Sequence, residues 1–188
     1  MKEQMYLLEQ FDDIKILRYD VPAFEGLSLR EKLFVYYLSR AALAGRDILW
    51  DQNNKYNLRV RAALESILRA YQGNRETEEF QAFLVYAKKV FFANGVHHHY
   101  SMEKFTPSFT PEYFKSLLRE VGAEQLYEEV ERVIFDPEYM AKRVVLDEGK
   151  DLVQASANHY YEGVTQEEVE KFYGEKKKEN ALLSWGLN

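Results

Sequence analysis

Apolar residues recur at helical spacing in several separate stretches of this chain, and capping signals mark where those stretches begin. Ser28 is followed three residues later by Glu31, the pattern of a capping box in which each residue bonds the other's backbone amide. Thr165 and Glu168 repeat that pattern. The spacing and the caps predict helices at about 28–44, 57–71, 77–92, 111–121, 124–133, 136–143 and 165–178. The chain is therefore predicted to be mainly α, an irregular multi-helix domain that spans 1–188.

The same spacing predicts which side chains face inward. In the first helix these lie at helical intervals after Ser28, and Gly45 is expected to end the helix in the left-handed conformation. The predicted inward residues are Leu29, Leu33, Tyr36, Tyr37 and Ala41 in the first helix, Leu58, Ala62, Ile67, Leu68 and Tyr71 in the second, and Phe80, Leu84, Ala87 and Phe91 in the third.

Two stretches lack helical spacing. Residues 96–107 lie between Asn94-Gly95 and a Thr-Pro-Ser turn, and are predicted to be a loop. Residues 181–188 predict the start of a strand. Because a strand cannot satisfy its backbone hydrogen bonds alone, this short β segment is expected to lead into a β-core that the sequence does not include.

Composition and charge narrow the classes of function. The chain carries 25 basic and 31 acidic residues and no basic block, which argues against binding to nucleic acid. It has no cysteine, so disulfides and thiolate metal sites are excluded. Its 14 tyrosines and 12 phenylalanines suit either packed helix interfaces or an adhesive surface. Neither a secretory signal nor a membrane span is visible, so the cytoplasm is the default expectation, with export of the full protein left open.

The run from His97 to Tyr100 is the one conspicuous set of candidate ligands. In an extended segment His97 and His99 would project to the same side, where two imidazoles are weak candidates to hold a transition metal. A third ligand would have to come from Glu103 or His159. The alternative is that these histidines bond backbone groups in a packed loop or face solvent.

The acidic clusters give no comparable signal. Asp147, Glu148 and Asp151 do not follow the spacing of a calcium loop and predict a solvated turn. Glu128 and Glu131 share a predicted exposed helix face. The sequence also lacks a phosphate-binding glycine loop, a nucleophile elbow and a His-Glu-x-x-His helix. No catalytic residue is assigned from the residues alone.

Several stretches, taken in order, resemble the start of the dipeptidyl peptidase III family, and its bacterial members in particular. The signatures include Leu-Arg-Tyr near residue 18, the run from Leu27 to Leu43, Asn-Gly-Val-His-His-His-Tyr from Asn94, and Tyr-Tyr-Glu-Gly-Val-Thr from Tyr160. The remaining signatures are at 45–49, 51–57, 135–137 and 184–188. Each is weak by itself, but their number and order are typical of that family across nearly the whole chain.

The resemblance implies a part of a hydrolase. Members of that family are zinc metallopeptidases, aminopeptidases that release dipeptides from the N-termini of oligopeptides, and they hold zinc through His-Glu-x-x-Gly-His and a later Glu. That motif is absent here. No cofactor is therefore expected in this chain, zinc is implied only for the full-length enzyme, and no catalytic or substrate-binding residue is transferred.

Two functions remain open from the sequence. The first is the N-terminal helical portion of a zinc-dependent dipeptidyl peptidase, which supports the cleft, is inactive alone, and has the remainder of the peptidase chain as its partner. Peptide substrates belong to the full-length enzyme. The alternative is an autonomous helical protein-interaction module derived from that family.

Overall fold

The computed structural model describes residues 6–178 and shows a mainly helical chain, which confirms the predicted fold class. An antiparallel hairpin of β1 (Leu7–Phe11) and β2 (Ile14–Leu17) precedes a 3₁₀ helix at Pro22–Gly26. The α-helices that follow are α1 (Leu29–Ala44), α2 (Arg46–Asn53), α3 (Asn57–Ala70), α4 (Glu78–Ala93), α5 (Pro111–Glu120), α6 (Gln125–Phe135), α7 (Leu152–Ala155) and α8 (Gln166–Lys178). No helix in this part of the chain is both long and apolar enough to cross a membrane.

The hydrophobic core lies between α3, α4, α5 and α6. Its centre is Phe114, which is fully buried and whose ring lies within 6.4 Å, centroid to centroid, of the rings of Phe83, Phe109, Tyr127 and Phe135. Each buried aromatic side chain contributes about 1.5–3 kcal/mol of transfer free energy. This aromatic cluster joins α4, α5 and α6, and the buried aliphatic residues of α3 complete the core.

The predicted helix starts are confirmed where a local cap defines them. The Ser28 amide donates to Glu31 Oε2 at 2.8 Å, and the Glu31 amide donates to Ser28 Oγ at 3.4 Å. Thr165 and Glu168 exchange the same two bonds at 2.8 and 3.2 Å. Thr110 Oγ1 accepts from the Tyr113 amide at 3.1 Å and starts α5.

The predicted helix at 136–143 is wrong. The Asp136 carboxylate accepts from the amides of Glu138 and Tyr139 at 3.0 and 3.2 Å, which closes a turn in place of a helical start. Beyond that turn, the backbone forms hydrogen bonds with the loop at 102–104. The Lys104 amide donates to the Ala141 carbonyl at 3.0 Å. These are tertiary hydrogen bonds, which local spacing does not encode.

Gly45 is not left-handed. Its φ of −83° and ψ of 0° are those of a right-handed helix, and the chain passes through it directly from α1 into α2. Helices α2 and α7 and the β1–β2 hairpin were not predicted. The hairpin lacks strict alternation, since only Phe11 and Ile14 of its strand residues are buried. The strand predicted at 181–188 lies outside the described residues.

Helix α1 exists as predicted, but its predicted inward face is wrong. None of its residues is buried, and Leu29 and Tyr37 are 73% and 65% exposed. Apolar side chains occupy every side of the helix, and the described residues do not cover them. The prediction failed here because helical spacing identifies apolar positions without identifying what they contact.

The inward faces of α3 and α4 are partly as predicted. Ile67, Phe80 and Ala87 are buried. Leu58 is exposed, and the other predicted inward residues are half-buried: Ala62, Leu68, Tyr71, Leu84 and Phe91. The buried faces instead include Val60, Ala63 and Leu64 in α3 and Phe83, Tyr86 and Val90 in α4.

Replacement of a core phenylalanine should destabilise the chain far more than the same change in α1. We expect Phe114→Ala to lower the free energy of unfolding by about 3–5 kcal/mol, because it leaves a cavity among four aromatic rings. The matched change Phe34→Ala, at a side chain 64% exposed on α1, should change it by less than about 0.5 kcal/mol. Urea denaturation followed by circular dichroism measures both; equal losses would contradict this description of the core.

Candidate functional site

The histidine run follows α4 directly, and Asn57 on α3 fixes its start. Asn94 ends α4 in the left-handed conformation at a φ of 54°, and Gly95 follows at a φ of 152°. The buried Asn57 side chain accepts from the Val96 amide at 3.1 Å and donates to the Trp50 carbonyl at 3.0 Å. Gly95 lies so close to this carboxamide that a Cβ at position 95 would overlap it. One side chain thus connects α2, α3 and the segment that leaves α4.

His97 is a buried structural residue. Its Nε2–H donates to the Met140 carbonyl at 2.8 Å, and the ring is only 2% exposed. Its Nδ1 is buried and makes no hydrogen bond within the described chain. Burial lowers the pKa of His97 to about 4, and the nearby cationic Lys104 and Arg143 also lower it. The imidazole is therefore neutral at physiological pH.

His98 and His99 turn away from an extended path. His98 Nδ1 accepts from the amides of Tyr100 and Ser101, both at 3.1 Å, which closes a turn. The His99 ring stacks on His98 with centroids 4.5 Å apart and meets the edge of Phe92 at 5.0 Å. Burial, followed by the effect of His98, lowers the pKa of His99. The extended segment that would align His97 with His99 is not formed.

The proposed third ligands lie in other contacts. Glu103 forms an ion pair with Lys142 at 3.2 Å, and His159 Nδ1 lies 3.8 Å from Asp51 Oδ1. Residues 6–178 contain no group of three or more histidine, aspartate or glutamate side chains that could hold a metal ion. His97 and His98 thus bond backbone groups of a packed loop, as the alternative expects, whereas the His99 ring makes only ring contacts among the described residues.

The acidic residues singled out in the sequence also have structural contacts. Asp151 Oδ1 accepts from the amides of Val153 and Gln154, both at 2.9 Å, and these bonds, with one from Gln166, lower the pKa of Asp151. Asp147 forms an ion pair with Lys150 at 3.1 Å. Glu131 accepts from the Tyr127 hydroxyl at 2.8 Å, whereas Glu128 is exposed. The structure does not bring these carboxylates together as an acid–base pair.

Three irregular segments next to the histidine run, at 102–104, 141–143 and 157–159, are joined by backbone hydrogen bonds. Arg143 donates its amide to the Met102 carbonyl at 2.9 Å and accepts from the Asn158 amide at 3.1 Å. The His159 amide continues the contact by donating to the Gln52 carbonyl at 2.7 Å. Lys104 extends its ammonium to the carbonyls of Asp136 and Tyr139, where burial lowers the pKa of this lysine.

Two cavities open on this surface. The larger, of about 240 Å³, is lined by residues that include Lys55, Met140, His159 and Glu162. The smaller, of about 140 Å³, is lined by Asn53, Arg143, Val144, Asn158 and Tyr160. Among these residues, only His159 was predicted as a possible ligand, although 51–57 and the run from Tyr160 belong to the family resemblance. Arg143 and Asn158 lie outside any motif and give no local signal, because their role depends on segments far apart in the chain.

Comparison with curated proteins finds a relative of known name. Over 144 residues the chain is 30% identical to dipeptidyl peptidase 3 of Homo sapiens, and the alignment takes in 71% of this chain. It covers 19% of the human protein, so the chain spans about one fifth of the length of that relative. No protein-family model matches the chain. The likeness supports a relation to the dipeptidyl peptidase 3 family, to which the sequence motifs also point.

Gly95→Ala tests the link between Asn57 and the histidine run. An alanine at a φ of 152° is strained, and its Cβ would displace the Asn57 carboxamide from its two hydrogen bonds. We expect a loss of about 2–4 kcal/mol in the free energy of unfolding. Gly26→Ala is the matched control, because no atom lies within 4 Å of the added Cβ, and it should change stability by less than about 0.5 kcal/mol. Similar melting temperatures for the two variants would refute this role of Asn57.

The buried His97 predicts a loss of stability in acid. A histidine whose pKa is about 4 when folded and 6.5 when free binds more protons in the unfolded state between those two values. The contribution of neutral His97 to the free energy of unfolding is complete above about pH 6.5 and is lost as the pH falls toward 4. We expect the wild type to lose up to about 3 kcal/mol more than His97→Gln over this interval. Urea unfolding at a series of pH values measures the difference; parallel curves for the two proteins would contradict it.

Proposed function

We propose that this chain is the N-terminal helical portion of a zinc-dependent dipeptidyl peptidase, a part that supports the substrate cleft and carries no catalytic centre. The ordered motifs and the relation to dipeptidyl peptidase 3 of Homo sapiens support this proposal. The residues present do not fit a zinc site, because the sequence lacks His-Glu-x-x-Gly-His and residues 6–178 offer no cluster of three ligands. No catalytic step is therefore assigned to any of its side chains.

The exposed α1 helix is the observation that carries the proposal. Its large apolar residues lie on all sides, and the most exposed among them are Leu29, Phe34, Tyr36, Tyr37, Leu38 and Leu43. A helix that is apolar all round is typical of the interior of a larger protein. A monomeric protein in water rarely exposes so continuous an apolar surface. This surface suits close contact with further polypeptide.

Helix α2 continues the same surface. Ile48 and Leu49 are 61% and 53% exposed, although Trp50 on the same helix is buried in the core. Between α1, α2 and α4 lies a groove of about 400 Å³ whose walls include Leu43, Leu49, Phe91 and Phe92. We propose that the remainder of the peptidase chain covers α1 and fills this groove, and that peptide substrates bind the complete enzyme.

An isolated chain of this kind should have no peptidase activity. We expect no chelator-sensitive release of naphthylamine from a dipeptidyl-naphthylamide in the presence of zinc, because no side-chain set among residues 6–178 could hold a water-activating ion. Human dipeptidyl peptidase 3 serves as the positive control for the assay. Sequencing of the gene beyond codon 188 should reveal an in-frame His-Glu-x-x-Gly-His motif. A stop codon there would favour the autonomous interaction module, and robust zinc-dependent turnover by the chain alone would refute the proposal.

Co-expression then tests the role of α1. The downstream polypeptide, produced separately, should associate with residues 1–188 and recover dipeptide release. Tyr37→Glu on α1 should prevent association, because it buries a charge at the contact. Phe172→Glu changes an aromatic residue that is 54% exposed on α8, outside α1 and outside the lining of the groove, and it should leave association intact. Equal behaviour of the two variants would exclude α1 as the contact.

A further inference from the structure

Arg143 stands out among the charged groups of the described chain because its guanidinium has only weak partners. The side chain is half-buried. Nη2 and Nε lie 2.8 and 3.2 Å from the thioether sulfur of Met102, and Nη1 lies 3.4 Å from Asn53 Oδ1. A thioether is a weak acceptor, and 3.4 Å is long for a hydrogen bond. No carboxylate of residues 6–178 forms an ion pair with it.

Other arginines of the chain show what this guanidinium lacks. Arg119 holds the Glu124 carboxylate through two nitrogens, and Arg61 bonds two carboxylates, Asp47 and Glu65, through one nitrogen each. A half-buried arginine that has lost part of its hydration gains most from a carboxylate, whose two oxygens match the guanidinium fork. The partners at Arg143 leave that capacity unused.

The backbone holds Arg143 in place before any ligand arrives. Its amide is bonded to the Met102 carbonyl at 2.9 Å, and its carbonyl accepts from the Asn158 amide at 3.1 Å. The same pair of bonds brings Asn158 to the wall of the smaller cavity. Because both residues are positioned in advance, binding there would require little ordering of the chain.

The chemistry of the smaller cavity favours a single negative charge. Around Arg143 it presents the neutral amides of Asn53 and Asn158 and the phenol of Tyr160. The Asn158 side chain makes no hydrogen bond within the described chain, so its carboxamide NH₂ group is available as a donor. Lys55, on the wall of the adjoining cavity, is already paired with Glu162 at 3.3 Å. A dianion would lack a second positive partner.

We propose that this cavity binds a carboxylate, held by the Arg143 guanidinium with the side-chain carboxamide of Asn158 as a second donor. A volume of about 140 Å³ accepts a carboxylate with a small group attached. The larger cavity shares Asn158 with it and offers room for the chain that bears the carboxylate. That chain is either a peptide with a free C-terminus or a protein segment with an aspartate or glutamate side chain. The site does not depend on the proposed peptidase function.

The test is a titration of the isotopically labelled chain with three peptides, followed by the backbone amide signals in NMR spectra. N-acetylglycylglycine carries a free carboxylate, its C-terminal amide carries none, and acetyl-Gly-Asp-Gly-amide carries one on a side chain. We expect saturable shifts at the amides of Asn53, Arg143 and Asn158 with the free acid and none with the amide. A response to the aspartate peptide as strong as that to the free acid would identify a side-chain carboxylate as a sufficient ligand; its absence would identify the C-terminus.

Variants assign the binding to Arg143. Arg143→Gln should weaken the affinity for N-acetylglycylglycine at least about tenfold, since a charge-assisted bond is lost. Arg69→Gln is the matched control, because Arg69 is exposed and pairs with Glu65 at 2.8 Å outside the cavity, and it should bind as the wild type does. Asn158→Ala should weaken binding severalfold with the rest of the spectrum unchanged, and it decides the question if Arg143→Gln fails to fold.

The outcomes that overturn the proposal are equally definite. Equal shifts with the acid and its amide would show that the carboxylate is not recognised. Absence of saturation up to tens of millimolar, or unchanged affinity in Asn158→Ala and Arg143→Gln, would show that this cavity is not a binding site.

Discussion

The buried carboxamide of Asn57 is the interaction on which the non-helical part of this structure depends. It bonds the Trp50 carbonyl near the end of α2 and the Val96 amide just after α4, and it lies at the first residue of α3. A buried polar group that loses its hydrogen-bond partner destabilises the folded state by about 1–3 kcal/mol, so both bonds of Asn57 are strongly favoured. Once Val96 is fixed, His97 is directed to Met140, and the segments that carry Lys104 and Arg143 follow from that contact.

The aromatic content of the chain serves two separate ends. Phe83, Phe109 and Phe114 form the compact centre between α3 and α6, whereas Tyr36 and Tyr37 lie on the surface of α1. Packed interfaces and an adhesive surface were alternatives in the sequence, and the structure contains both. A packed body with one uncovered apolar side is consistent with the proposed role, because such a body offers a preformed surface for contact with further polypeptide.

What could be predicted from the sequence was local. Ser28, Thr110 and Thr165 bond groups three residues away, and so the helices that they begin were found. The burial of α1 could not be judged, because spacing shows where apolar side chains lie and not what they meet. The failed helix at 136–143 and the unaligned histidines each combine a local turn with a distant contact. Asp136 and His98 close turns over two or three residues, and the neighbouring backbone bonds a segment about 40 residues away, as His97 does at Met140. The sequence did not single out Arg143, because its contacts with Asn53 and Met102 also join distant parts of the chain.

The passage through Gly45 gives α1 an unusual position in the chain. Since no residue of α1 is buried and its backbone runs through a single glycine into α2, the aromatic body contains everything that it needs without this helix. The contacts that α1 makes can therefore change without any rearrangement of that body.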